Sequence, residues 1–371
     1  MEQMNYIIPF ILLITVVVFI HEYGHYFFAK KFGVGITDFS IGFGKEIFGW
    51  NDKSGTRWKI CWIPLGGYVK FFGDRNVFSQ AEQQKVIDKY TEVERNKLFI
   101  LKPLYQRSII VAAGPIANFV LALIIFAAIN IFIGKDFTPA IINEVQKDSP
   151  AFIAGLQKND KIISIDDNDI QSVLEISTFI NTSSSEKIKF IILRNNEEIV
   201  KLIKPKFIET EDYLGNIVKK KIIGIKLSPL NNEFKKIKLG PFNAAISSFN
   251  EVWFVTSTSL NYLGKMLSGS ADSSQLGGPL RIAKITGQVA EHGIIPFLSI
   301  MAYISISLGL INLFPIPMLD GGHLMFYFFE MILGKPLSHK TQEFFFRIGL
   351  FLLISLMFFA TFNDLKNFGI F

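Results

Sequence analysis

The sequence is short of cysteine and of charge. Cys61 is the only cysteine in 371 residues, so no disulfide can form within the chain and no cysteine-built metal site is available. A metal held here must take its ligands from His, Asp or Glu. Only 19% of the residues are charged, and the net charge of +6 is spread over Lys-rich loops. That balance suits anionic lipid headgroups and calls for no nucleic-acid partner. What the chain has in quantity is apolar: half its residues are hydrophobic and 38 are Phe, which is too apolar for an ordinary soluble enzyme.

Four stretches read as membrane spans: about Ile7 to Phe28, Ile109 to Ile133, Ile295 to Phe314 and Phe344 to Phe362. Each is near the roughly 20 residues that a bilayer core requires. Met1 to Tyr6 lacks basic residues and no small-residue cleavage site follows, so the first stretch is expected to be a retained span and not a signal peptide. Lys30, Lys31 and Lys45 follow the first span, Lys97, Lys102 and Arg107 precede the second, and Lys335, Lys340 and Arg347 lie between the third and fourth. By the positive-inside rule those two connections are cytoplasmic, with both termini and the long middle region outside. Ala244 to Leu267 is apolar but carries Glu251 and Lys265, and is expected to lie along the outer surface as an amphipathic segment.

The first span contains His21-Glu22-Tyr23-Gly24-His25. Residues four apart share a helix face, so His21 and His25 can present two imidazoles to one metal. Glu22, beside that face, is placed to act as general base. Ionisable groups at membrane depth are costly, which makes them a functional hypothesis. The bland alternative is a chance match. A third ligand is available where the third span ends, in Asn312-Leu313-Phe314-Pro315-Ile316-Pro317-Met318-Leu319-Asp320-Gly321-Gly322-His323. The two prolines break the helix there, and Asp320 completes a two-His, one-carboxylate set for Zn2+. Asn312 supplies an amide that could clamp a substrate backbone or polarise its carbonyl. Taken alone Asp320 would be a helix cap and His323 an interfacial polar residue; beside the site, His323 is a surplus ligand, a support behind the ligands or simply exposed.

Between these halves two further units are expected. Gly55 to Phe72, with aromatic and β-branched residues around Pro64-Leu65-Gly66-Gly67, reads as a β-hairpin turning at the Pro/Gly run. Ser79 to Lys97, with alternating charges, reads as a solvated helix or loop. From Ala140 to Phe207 four β-type runs (Ala140 to Val145, Lys161 to Ile165, Lys187 to Leu193, Glu198 to Ile203) surround one helical run, Val173 to Asn181. With Asp148-Ser149-Pro150-Ala151-Phe152-Ile153-Ala154-Gly155 these resemble a PDZ domain, a fold that receives an extended peptide beside a sheet edge. Asn159 stands where such domains usually have Gly and tolerates the same left-handed backbone. In the second span Gly114-Pro115-Ile116-Ala117-Asn118 reads as close helix packing, and Asn118 must find a partner within the bundle.

Together these motifs resemble the site-two protease family of intramembrane zinc metalloproteases, in its bacterial regulator-of-sigma-E branch, over nearly the whole chain. The resemblance implies zinc on His21, His25 and Asp320, catalysis by Glu22 and substrate contact at Asn312. It also implies a membrane-associated β-hairpin, with Trp62, Gly66, Gly67 and Tyr68, that presents substrate in extended form. The implied substrate is a single-pass membrane protein, such as an anti-sigma factor, or leftover signal peptides. The fold class expected is an α-helical polytopic membrane protein of four transmembrane helices, with a membrane-associated β-hairpin and an inserted α/β PDZ-like domain. The divisions expected are an N-terminal membrane half (1–136), the PDZ-like domain (137–228), an amphipathic connection (229–293) and a C-terminal membrane half (294–371). The implied location is the bacterial inner membrane, with the PDZ-like domain periplasmic and the active site toward the cytoplasm. Well-known members carry two PDZ domains, whereas one fits here. The rival readings are a catalytically inactive membrane adaptor that captures a peptide C-terminus in the PDZ-like groove, and an ion transporter.

Overall fold

The computed structural model describes residues 2–73, 90–183, 185–211, 217–227, 234–269 and 277–367. The expected polar stretch at Ser79 to Lys97 lies mostly outside them. Two compact units emerge. One comprises residues 1–126, 251–256 and 276–366, the other residues 127–250, 257–275 and 367–371.

In the first unit, α1 (Glu2–Lys31) leads into two long antiparallel strands, β1 (Ile36–Asn51) and β2 (Arg57–Phe71). The strands are bent, and the register doubles: Phe39 is opposite both Val69 and Trp58, and Ile41 opposite both Gly67 and Ile60. The turn joining them spans Asp52 to Thr56 and not the Pro/Gly run, which corrects the expected hairpin. Its cause is Asp52, whose carboxylate accepts from the Ser54 and Thr56 N–H groups and the Ser54 hydroxyl, while Gly55 supplies φ +87°. Pro64 to Gly67 is instead an irregular passage inside β2, where Gly66 reaches φ +108°. Asp52 also accepts from Tyr26 of α1 (2.9 Å) and the Trp58 indole (3.3 Å), so the tip of the hairpin is held to the helix that carries both histidines.

The second long helix, α2 (Leu104–Phe132), begins five residues earlier than the hydropathy alone suggested. In the other unit, β3 (Ile142–Val145) precedes a four-stranded sheet of β4 (Lys161–Ile165), β5 (Asn168–Asp169), β6 (Ile188–Arg194) and β7 (Glu197–Ile203), in the order β5-β4-β6-β7. Helix α3 (Ile176–Thr182) covers this sheet, and Ile142, Ile162, Ile165, Ile188, Phe190 and Ile192 form its buried core. Asn195 and Asn196, both at positive φ, make the two-residue hairpin between β6 and β7. Asn159 sits at φ +72°, the left-handed backbone that Asn was expected to tolerate. Beyond the expected strands, β8 (Lys206–Glu211) pairs with β9 (Ile217–Ile222), and β10 (Ile225–Leu227) pairs with β3.

Helix α4 (Pro241–Leu267) carries exposed Phe242, Ile246, Phe249 and Trp253 at spacings of three and four, as an amphipathic segment should. In the first unit, α5 (Pro279–Glu291) packs along α1 and is capped by Asp364, whose buried carboxylate accepts from the Gly278, Leu280 and Arg281 N–H groups. Helix α6 (Ile294–Leu313) stops where Pro315 forces Phe314 into extended backbone. Then come α7 (Asp320–Leu333) and α8 (His339–Asn367). Among the described residues four helices are long and apolar enough to cross a membrane: α1 from Tyr6, α2, α6 and α8 from Lys340.

Candidate active site

His21 and His25 lie one turn apart on α1, and their Nε2 atoms approach to 3.2 Å. Asp320, the first residue of α7, brings its Oδ2 within 3.2 Å of His21 Nε2 and 3.5 Å of His25 Nε2. Among the described residues these three form the one cluster of His, Cys, Asp or Glu with metal-ligand spacing. A tetrahedral ion bonded at roughly 2.0–2.1 Å holds its ligand atoms about 3.3 Å apart, so the donor set fits Zn2+ in kind and in spacing. The buried Asp320 Oδ2 has no hydrogen-bond donor of its own, which is the condition of an oxygen prepared for a cation.

One face of α2 prepares the two imidazoles. The Ile110 carbonyl accepts from His25 Nδ1–H at 2.8 Å, leaving Nε2 with its lone pair toward Asp320. One turn on, Gly114 fills the space beneath both rings: a Cβ there would lie 2.3 Å from His25 Nε2 and 2.9 Å from His21 Nε2. A further turn on, the Asn118 amide lies 3.2 Å from His21 Nδ1. With its oxygen turned to the ring, Asn118 accepts from Nδ1–H and satisfies an Oδ1 that otherwise has no partner. Asn118 thus has the partner that the sequence required, and it is a histidine. Ser305 of α6 donates to the Asn118 carbonyl at 2.9 Å, holding this turn of α2 against the helix that ends at Asn312.

A cavity of about 380 Å³ opens on the three donor atoms. Glu22 and Asn312 line it, as do Gly67 and Tyr68 of the four hairpin residues singled out by resemblance. Trp62 is exposed and, like Gly66, is not among the lining residues. The rest of that wall is Val69, Lys70 and Phe71. The sequence reading put these residues in the hairpin, which it carried to Phe72, without singling them out. The other wall is apolar, from Phe99, Phe326 and Phe346, with Arg107 and Glu330 beside it. His323 lines the cavity too, packed on Phe326 and Phe346, and is not one of the three converging donors. His292 is exposed at the end of α5.

The turn between α6 and α7 is strained. Met318 has φ +94°, a conformation that side chains with a Cβ rarely adopt, two residues before Asp320.

Comparison with known proteins gives concordant matches. The family model described as Peptidase family M50 matches residues 9–356. A protein of Agrobacterium fabrum named as an inferred zinc metalloprotease is 40% identical over 363 residues, covering 98% of this chain and 96% of its own. One from Rickettsia conorii, named likewise, is 38% identical over 362 residues, covering 97% and 98%. Metalloprotease MmpA of Caulobacter vibrioides is 34% identical over 386 aligned positions, covering 98% and 96%. Among solved structures, the PDZ domain of an SdrC-like protein from Listeria monocytogenes aligns with 24% of this chain and 88% of its own, at 24% identity and a TM-score of 0.20.

Proposed function

The chain belongs to peptidase family M50, and on that premise we propose that it cuts peptide bonds inside the membrane-spanning segments of single-pass proteins. It is a zinc metalloprotease. His21, His25 and Asp320 would hold the Zn2+. When bound, the ion supplies a Lewis acid that polarises the scissile carbonyl and lowers the pKa of a water. Glu22 takes the proton of the attacking water and returns it to the leaving amine. Asn312 donates its amide hydrogens to the substrate carbonyl as negative charge builds there.

A helical peptide bond has its carbonyl already hydrogen-bonded, so the substrate must unwind before attack. Backbone groups freed in lipid cost several kcal/mol unless they are paired again. The edge of β2 from Gly67 to Phe71, which lines the cavity beside Glu22, offers that pairing by strand addition. The reading extends to a polytopic topology in a bacterial inner membrane, with the cavity toward the cytoplasm and residues 137–228 as a periplasmic PDZ-like domain able to take a peptide C-terminus. Substrates of the anti-sigma-factor type and leftover signal peptides fit this arrangement.

The observation that carries the proposal is the convergence of donor atoms from residues 21, 25 and 320 beside Glu22. An inactive adaptor or an ion pathway needs no carboxylate beside that cluster, so Glu22 favours proteolysis. Co-expression of model single-pass proteins with the wild-type chain should yield a fragment that Glu22→Gln does not produce, with membrane insertion unchanged. Equal cleavage by the variant would refute the mechanism.

A further inference from the structure

Both imidazoles are aligned by α2, through Ile110, Gly114 and Asn118 at successive turns. Asp320 arrives on another element. It opens α7, whose N-terminus has no side-chain cap, straight after the strained Met318. Gly321 and Gly322 seat that end of α7 on the Leu313, Phe314 and Ile316 carbonyls, where an added Cβ would come within 2.2–2.5 Å, but this leaves open how the far end of the helix is seated on α2, and a carboxylate ligand tolerates little displacement.

The contact able to fix it lies at the other end of α7. Arg107 grips Glu330 with both prongs of its guanidinium, Nη2 to Oε1 at 2.5 Å and Nη1 to Oε2 at 3.2 Å. Both side chains are largely buried, 12% and 16% exposed. Arg107 is itself locked, donating from Nε to the Lys102 carbonyl at 3.1 Å and lying 5.0 Å over the Tyr327 ring of α7. It also sits one turn before Ile110. Residues 107, 110, 114 and 118 of α2 therefore meet, in order, Glu330, His25, both imidazoles and His21. We propose that Arg107 and Glu330 are a positioning pair that sets α7 in register on α2 so that Asp320 meets His21 and His25.

The pair does not act on reacting atoms, because Glu330 lies ten residues, or about 15 Å of helix, from Asp320. A planar fork fixes both position and rotation, which a lysine or an apolar contact does not. A pair retained for stability alone would be replaceable, since apolar residues of similar volume are often neutral substitutes for a buried ion pair.

The inference rests on the reading that Asp320 holds zinc, and the test separates the two. The full chain in detergent is assayed for zinc affinity by chelator competition and for its visible spectrum with Co2+ in place of Zn2+. The chains compared are wild type, Arg107→Met with Glu330→Met, and the exchange Arg107→Glu with Glu330→Arg. The apolar double variant should keep the wild-type melting temperature in the metal-free state while zinc affinity falls about 10–100-fold and the Co2+ bands shift. The charge exchange should recover most of the affinity. An apolar variant with wild-type affinity and spectrum overturns the positioning role alone. A wild-type chain that takes up no zinc overturns the site itself, and the pair's role with it.

Discussion

At Gly114 a hydrogen atom is all that separates α2 from the two imidazoles. A methyl there has no room, with His25 Nε2 at 2.3 Å and His21 Nε2 at 2.9 Å from the added carbon. Gly114→Ala should therefore displace the rings, costing about 1–3 kcal/mol of stability as overpacking does and most of the zinc affinity. Metal analysis after gel filtration would show it, and wild-type zinc content in this variant would refute the packing argument. The convergence of His21, His25 and Asp320 was legible in the sequence, because the His-Glu-x-x-His spacing lacks a third donor and the Asp after the broken helix, a cap if taken alone, supplies one. What supports them was not. The Ile110 carbonyl belongs to the backbone and leaves no mark in residue type, and Gly114 and Asn118 read equally well as helix packing. Met318 gave no warning either, since Met is not a residue that announces positive φ.

Among the elements, the hairpin departs furthest from its sequence pattern. The Pro/Gly run carries the stronger turn signal, but Asp52 gathers two N–H groups, one serine hydroxyl, one phenol and one indole around a single carboxylate, and the chain turns there. Burial pushes this carboxyl up, and the hydrogen bonds from Ser54, Thr56, Tyr26 and Trp58 more than offset it, holding Asp52 well below the usual carboxylate range. Its contribution is thus fully present above the ordinary Asp pKa of about 3.9 and is lost as the pH falls below that value. Asp52→Ala should loosen the tip from α1 at neutral pH, at a cost of about 1.5–3 kcal/mol, the usual range for hydrogen bonds to a charged group. Amide hydrogen exchange at Ser54 and Thr56 measures this directly: protection should drop in the variant, and unchanged protection would count against the clamp. Helices were easier to foresee than strands. Each of the four long apolar helices rests on some twenty residues of one character, whereas the course of β1 and β2 depends on single side chains and glycines.

For the whole molecule, the proposed topology puts residue 158 and residue 335 on opposite sides of the membrane. Both are exposed lysines, and Cys61 is the sole native thiol. In a Cys61→Ser background, a membrane-impermeant maleimide that reaches only the periplasm should label Lys158→Cys and leave Lys335→Cys unmodified until the membrane is opened. Labelling of Lys335→Cys in intact cells would overturn the proposed arrangement. At this scale the sequence told more about composition than about contact. It separated apolar helices from the β-rich stretch and joined Asp320 to the two histidines by their chemistry, while the pairing of Arg107 with Glu330 is a product of folding that no local pattern records.

Zinc content of the purified full chain, wild type against Asp320→Ala, bears most directly on the claim that residues from both ends of the chain hold one ion. The account predicts about one zinc per wild-type chain and a loss of most of it from the variant, which stays folded and inserted. A variant that keeps its zinc at wild-type stoichiometry would contradict it.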